Sequence, residues 1–350
     1  MRDIITYITR CIAAAILLCT GCVEEDSFDN SSTGNFDALW SIIDQRYCFF
    51  EQAKEQFGLD WDAVYDKYYP LAAEAKESAK LFDIMGQALK ELRDGHVNLI
   101  SEYGTTFYWD WKLNYPINFS DSLQRNYLGN DFKINNGIYY TTIEDSVAYA
   151  YVGSFANGFG NSNITAFMMD VAASKGLILD IRNNSGGMLT SAEQLASHFT
   201  KEKIHCGYIK HKRGKGHSDF STPEPLFLEP GKGAIWLKPV VLLTNRGVYS
   251  AANHFVMVMR ALPHVMVIGD KTGGGSGMPL NSTLPNGWGL RFSACPILDT
   301  DMQDTEFGIS PDSTIHITSN DWNNGRDTMI ESARQIIMEY YKKNNGKDDD

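Results

Sequence analysis

Predominantly apolar runs of strand length recur from the middle of the chain onward, at residues 147–152, 177–181, 240–243 and 265–268. Each is bounded by polar residues, glycine or proline, the pattern of a strand buried on both faces. Helical periodicity lies between them, at 164–174, 191–199 and 250–262. Alternating β and α elements predict a partly parallel sheet covered by helices. Thr190 and Glu193 have the spacing of a capping box. Residues 204–237 read as a β-hairpin excursion, 288–295 as a further strand and 329–341 as a closing amphipathic helix. The acidic residues 344–350 read as a disordered tail.

The first part of the chain has a helical period. Leu39, Ile42, Ile43 and Tyr47 share a face, with Asn35 as the expected N-cap. Asp60 is the expected cap of a second helix carrying Trp61, Val64 and Tyr68, which Pro70 should interrupt. Ser78 is the expected cap of a third, carrying Leu81, Ile84, Met85, Leu89 and Leu92 and stopping at Asp94-Gly95. Residues 103–140 are aromatic and β-like. Trp109 and Trp111 alternate with Asp110 as in a half-buried strand, where packing and a stacking platform are both open readings. The fold class expected is α/β, or α+β over the whole chain. It comprises a polar linker at 23–34, a helical region at 35–95, a β-rich connector at 96–146 and an α/β domain at 147–343.

Residues 1–22 read as a targeting segment, because their apolar stretch is too short to span a membrane as a mature helix. Leu18-Cys19-Thr20-Gly21-Cys22 resembles a bacterial lipoprotein cleavage box. The resemblance makes Cys22 the lipidated N-terminus, anchored on the periplasmic face or at the cell surface. An ordinary cleaved signal peptide is the alternative. The net charge of −12 argues against nucleic acid as a partner. The basic cluster at 210–215 reads as a solvated hairpin tip. Cys48, Cys206 and Cys295 show neither CxxC nor zinc-ligand spacing, so no metal is expected. One disulfide and buried free thiols are both open.

Two stretches could carry chemistry. Ser250 stands at a strand-to-helix turn, where it could be an N-cap or a nucleophile. Gly186-Gly187 follows the strand Leu177-Ile178-Leu179-Asp180-Ile181 and precedes a helix. Adjacent glycines there suit an oxyanion hole or an ordinary tight turn. His254, one helical turn after Ser250, either lines the same site or packs.

Leu179-Asp180-Ile181-Arg182-Asn183-Asn184-Ser185-Gly186-Gly187, then Asn245-Arg246-Gly247-Val248-Tyr249-Ser250-Ala251-Ala252, then Gly269-Asp270-Lys271-Thr272-Gly273-Gly274-Gly275 resemble the tail-specific (C-terminal processing) serine proteases in order and spacing. The resemblance runs from about Phe36 to Asp312. It implies a crotonase- or ClpP-like catalytic domain, a polypeptide substrate and no cofactor. It implies Ser250 as nucleophile, with Gly186 or Gly187 and the amide of Ala251 as the oxyanion hole. The lysine base of one branch falls on Gly275, and Lys271 is out of register. The tricorn core protease branch uses histidine and glutamate, which His96 and Glu306 match. There a serine precedes the histidine; here Gly95 does, so water or Asp94 would have to join His96 to Glu306. Taken alone, His96 could be a strand-edge histidine and Glu306 a surface carboxylate. The interval from Ile100 to Val147 is too short for a PDZ domain, so none is expected. The reading is an exported serine peptidase. Its rivals are a catalytically inactive peptide-binding lipoprotein on the same fold and a serine esterase.

Overall fold

The computed structural model describes residues 27–345; the leader-like segment with Cys22, and residues 346–350 of the expected tail, lie outside them, while Asn344 and Asn345 of that tail continue the closing helix instead of being disordered. Helix α1 (Ser32–Arg46) is capped by Ser31, whose hydroxyl accepts the Gly34 amide. Asn35, the expected cap, is buried inside the first turn and accepts the Asn286 amide. Helix α2 (Phe50–Phe57) follows. Helix α3 (Trp61–Glu74) starts on Asp60 as expected but runs through Pro70. Pro70 stands late in the helix, and the buried face of Trp61, Val64, Tyr68 and Ala72 continues past it. Packing there outweighs the one lost hydrogen bond. Helix α4 (Ser78–Lys90) has Glu77, not Ser78, at its N-cap position and stops before the expected glycine. Arg93 adopts the left-handed turn (φ 53°) in place of Gly95.

The expected β-rich connector is only partly strand. Strands β1 (Asn98–Ser101) and β2 (Gly104–Thr105) lead into a single 3₁₀ turn, Asp110–Lys112, then α5 (Asp121–Leu128). The Trp109/Trp111 alternation is not a strand. Trp111 is drawn inward onto Tyr249, with ring centroids 4.4 Å apart, while Trp109 stays exposed. No separate domain stands between β1 and the main sheet.

That sheet contains β3 (Lys133–Asn135), β4 (Ile138–Ile143), β5 (Val147–Val152), β6 (Leu177–Asp180), β9 (Val240–Thr244), β10 (Val265–Gly269) and β13 (Ser313–Thr314). Their order is β13-β10-β9-β6-β5-β4-β3, parallel from β13 to β5 and antiparallel beyond. Helices α6 (Asn161–Asp170), α7 (Leu189–Ala196) and α8 (Ala251–Arg260) contribute to the core on one face. The closing helix α10 (Thr328–Asn345), preceded by the short α9 (Ser319–Asn323), covers the other. The Thr190–Glu193 capping box does not form: α7 begins at Leu189 with no side-chain cap, and Glu193 reaches His254 instead.

The second sheet positions the site. It runs β2-β1-β12-β7-β8, with β11 (Gly277–Thr283) also paired to β12 (Gly289–Leu298). Strands β7 (Ile204–Ile209) and β8 (Glu224–Leu228) form the expected hairpin. β1 pairs with β12, and the helices α1–α4 share a core with Leu290 and Phe292 of β12. The N-terminal region is thereby fastened to a strand of the C-terminal half. Cys48, Cys206 and Cys295 are free thiols. Among the described residues, no helix is long and apolar enough to cross a membrane.

Candidate active site

Strand β9 runs into the turn at 245–249, and α8 begins at Ala251. Ser250 stands at the join with φ 58° and ψ −125°, a region that L-residues occupy at a cost of about 1–3 kcal/mol. The strain is held by backbone bonds: the Ser250 amide donates to Gly274 O (2.8 Å), and Ser250 O accepts the His254 amide (3.0 Å). The Ser250 side chain caps no helix amide. Its Oγ lies 2.9 Å from His96 Nε2.

His96 reaches this point from the loop after α4. Asp94 Oδ1 accepts the His96 amide (2.7 Å), and Asp94 Oδ2 accepts the Ser293 hydroxyl of β12 (2.7 Å). The loop is thus tied to the strand that β1 joins four residues after Asp94. His96 is 5% exposed, and the strand-edge reading leaves its Ser250 contact unexplained. Burial lowers the imidazole pKa below the usual histidine value; the Asp94 charge opposes this and Arg291 adds to it. A neutral imidazole is the form that can accept a proton. Its Nδ1 is buried without a hydrogen-bond partner among the described residues.

The two glycines have φ 99° (Gly186) and 139° (Gly187). A methyl on Gly186 would lie 2.7 Å from Tyr249 O and 2.9 Å from Ala251 N. One on Gly187 would lie 2.3 Å from Ala156 N. Glycine is required at both. The expected pair divides: the Gly186 amide donates to Asn184 Oδ1 (2.9 Å) and is already engaged. The Gly187 and Ala251 amides have no acceptor among the described residues.

Glu306 is buried, not at the surface. Its Oε2 accepts the amides of Ser276 (2.7 Å) and Gly277 (3.3 Å), and its carbonyl accepts the Gly275 amide (2.9 Å). No hydrogen bond joins it to His96 among the described residues. Burial pushes its carboxyl well above the usual carboxylate range, with Asp94 and Asp304 adding to the rise. Glu306 therefore shapes the wall at 275–277. At Gly275 itself (φ 79°), a side chain would begin 2.5 Å from the Tyr249 ring, so no lysine fits there. Lys271 does not line the cleft.

The cleft beside Ser250 measures about 320 Å³ and has an apolar side formed by Leu189, Met257, Met278 and Ile297. His254 lines it too, with Nε2 3.1 Å from Glu193 Oε1. A larger cavity of about 810 Å³, walled by Arg125, Tyr139 and Tyr151, contains none of the residues brought together at Ser250. Beneath the glycine loop, Arg182 is fully buried. It donates to Asp180 through Nε (2.9 Å) and Nη2 (2.6 Å) and to Asp327 through Nη1 (2.8 Å). Among the described residues, no cluster of His, Cys, Asp or Glu could hold a metal ion.

A crystallised candidate peptidase from Parabacteroides merdae is 48% identical, with TM-score 0.82, the match covering 88% of this chain and 97% of that one. The profile described as peptidase family S41 matches residues 146–315. The chain belongs to peptidase family S41. The tricorn protease C1 domain profile matches residues 28–90, the helical region of this S41 peptidase. The fold is shared by mature CPAF, 12% identical, with TM-score 0.68 over 90% of this chain and 98% of that one. A Sulfurisphaera tokodaii protein named as a tricorn-like protease C-terminal subunit is 25% identical over 170 residues. That match spans 47% of this chain but only 18% of that relative.

The sequence did not single out Tyr249. It lies between Gly95 and Gly275, two residues small enough to admit its ring, and that arrangement is visible only in three dimensions.

Proposed function

We propose that this S41 peptidase is an exported serine endopeptidase acting through an acyl-enzyme. Ser250 Oγ attacks the scissile carbonyl carbon while His96 Nε2 takes its proton. The tetrahedral oxyanion is held by the Gly187 and Ala251 amides. His96 then gives the proton to the leaving amine as the C–N bond breaks. A water molecule, deprotonated by His96, cleaves the resulting ester and restores the serine. Glu306 acts indirectly, by fixing the wall at 275–277.

The observation that carries this reading is the 2.9 Å approach of His96 Nε2 to a serine whose strained backbone serves no capping role. The apolar side of the cleft favours a polypeptide with an apolar side chain next to the scissile bond. The leader-like residues 1–22 support export and an anchor on Cys22.

A matched panel of peptide and ester substrates tests the substrate class. Peptide cleavage that Ser250→Ala abolishes supports the peptidase; turnover of esters alone supports an esterase. For the anchor, Cys22→Ser should release the protein from the membrane fraction of its bacterial host, and retention there would refute lipidation.

A further inference from the structure

Gly95 precedes the base, and Tyr249 precedes the nucleophile. A Cβ built on Gly95 would lie 2.8 Å from the Tyr249 hydroxyl, 3.1 Å from Tyr249 Cζ and 3.2 Å from Trp111 Nε1. The space for a side chain at position 95 is therefore filled by a hydroxyl that arrives from the other loop. That hydroxyl faces Asp94 Oδ1 at 3.5 Å, the same oxygen that accepts the His96 amide. The phenol ring stacks on Trp111 and lies tilted against the His96 ring, with centroids 5.0 Å apart. Tyr249 is buried against this polar turn, and its own backbone carries Ser250.

We propose that the Tyr249 hydroxyl is the positioning group of the dyad, joining the Asp94–His96 turn to the Ser250 elbow and holding His96 Nε2 within reach of Ser250 Oγ. It touches neither substrate nor the reacting atoms. The two loops are far apart in the chain. A hydroxyl that fills the space at Gly95 and donates to a carboxylate has one preferred orientation, and the ring stack on Trp111 prevents it from swinging away. Burial, with Asp94 and Glu306 nearby, pushes the phenol well above its usual range, so it remains a donor at every working pH. Small losses of alignment between a nucleophile and its base cost large factors in rate, and a positioning group acts by preventing them.

The proposal rests on the Ser250–His96 reading, and the test separates the two. The assay is the rate of Ser250 modification by a fluorophosphonate, measured with peptide kcat, KM and melting temperature. Tyr249→Phe keeps the ring and removes only the hydroxyl. It should lower the modification rate and kcat at least about tenfold, leaving KM within about twofold. Gly95→Ser in the parent should also lower activity, because its Cβ meets the tyrosine hydroxyl. Placed on Tyr249→Phe, Gly95→Ser supplies a hydroxyl from the other side of the same space and should recover part of the loss. A merely structural tyrosine would give a lower melting temperature with unchanged kcat per folded molecule. That result, or two substitutions whose fold-losses simply multiply, would overturn the proposal while leaving the dyad intact. A parent protein that never reacts would overturn both.

Discussion

His96 Nε2 meets Ser250 Oγ at 2.9 Å across a sequence separation of 154 residues. Two structural links make the meeting possible. β1 pairs with β12, and Asp94 accepts the Ser293 hydroxyl of that same strand. The helical N-terminal region therefore delivers His96, the proposed base, to Ser250.

The environment of His96 sets the pH dependence of kcat/KM. The base works when neutral, and burial places its pKa below the ordinary value of about 6.5. Activity should be on its plateau at neutral pH and fall only as pH drops through that lowered pKa. Asp94 raises the pKa and Arg291 lowers it, so Asp94→Asn should move the acid limb to lower pH and Arg291→Gln to higher pH. A limb that shifts the same way in both variants would contradict this account.

Glu306 is pushed towards its neutral form by burial and by two nearby carboxylates. Glu306→Gln should keep kcat/KM within about tenfold of the parent, about 1.4 kcal/mol in barrier. Glu306→Ala should lose more, because the Ser276 and Gly277 amides lose their acceptor. Steady-state kinetics of both variants decide the point. A glutamine variant as inactive as His96→Ala would mean that the charge itself is required.

Gly275 tests which base the scaffold can use. A lysine there would collide with the Tyr249 ring and must adopt φ 79°. Left-handed backbone alone costs an L-residue about 1–2 kcal/mol. Gly275→Lys should lower the melting temperature and fail to restore peptide cleavage to His96→Ala. Restored cleavage would show that a Ser/Lys pair can form here.

Arg182 holds the base of the glycine loop between Asp180 and Asp327, all three fully buried. Removing one partner of a buried ion pair leaves an uncompensated charge and costs about 3–5 kcal/mol. Denaturant unfolding of Arg182→Ala should show a loss of that size. A change below about 1 kcal/mol, the level of a surface pair, would contradict the assignment.

Much of this architecture was legible in the chain. The run at 147–152 is a strand with the bounds its pattern gave, because a strand covered on both faces leaves no polar position to blur its ends. β11 was missed for the converse reason. It is largely exposed, contains Pro279 and pairs with β12 across a bulge, as outer strands do. The N-caps at Asn35 and Ser78 were misplaced because neighbouring residues compete for the same role. Ser250, His96 and the two glycines could be named from motif and spacing. That Asn184 takes the Gly186 amide, that Glu306 bonds the amides at 276 and 277 and makes no hydrogen bond to the imidazole among the described residues, and that Tyr249 fills the space at Gly95 depend on side-chain directions that spacing does not encode.

The central claim is that Ser250 is a nucleophile activated by His96. Intact-mass analysis after treatment with a fluorophosphonate tests it most directly. The account predicts a single adduct on the parent protein, mapped to Ser250, absent in Ser250→Ala, and formed about a hundredfold or more slowly in His96→Ala. A folded parent protein that acquires no adduct, or one whose adduct forms equally fast without His96, would contradict it.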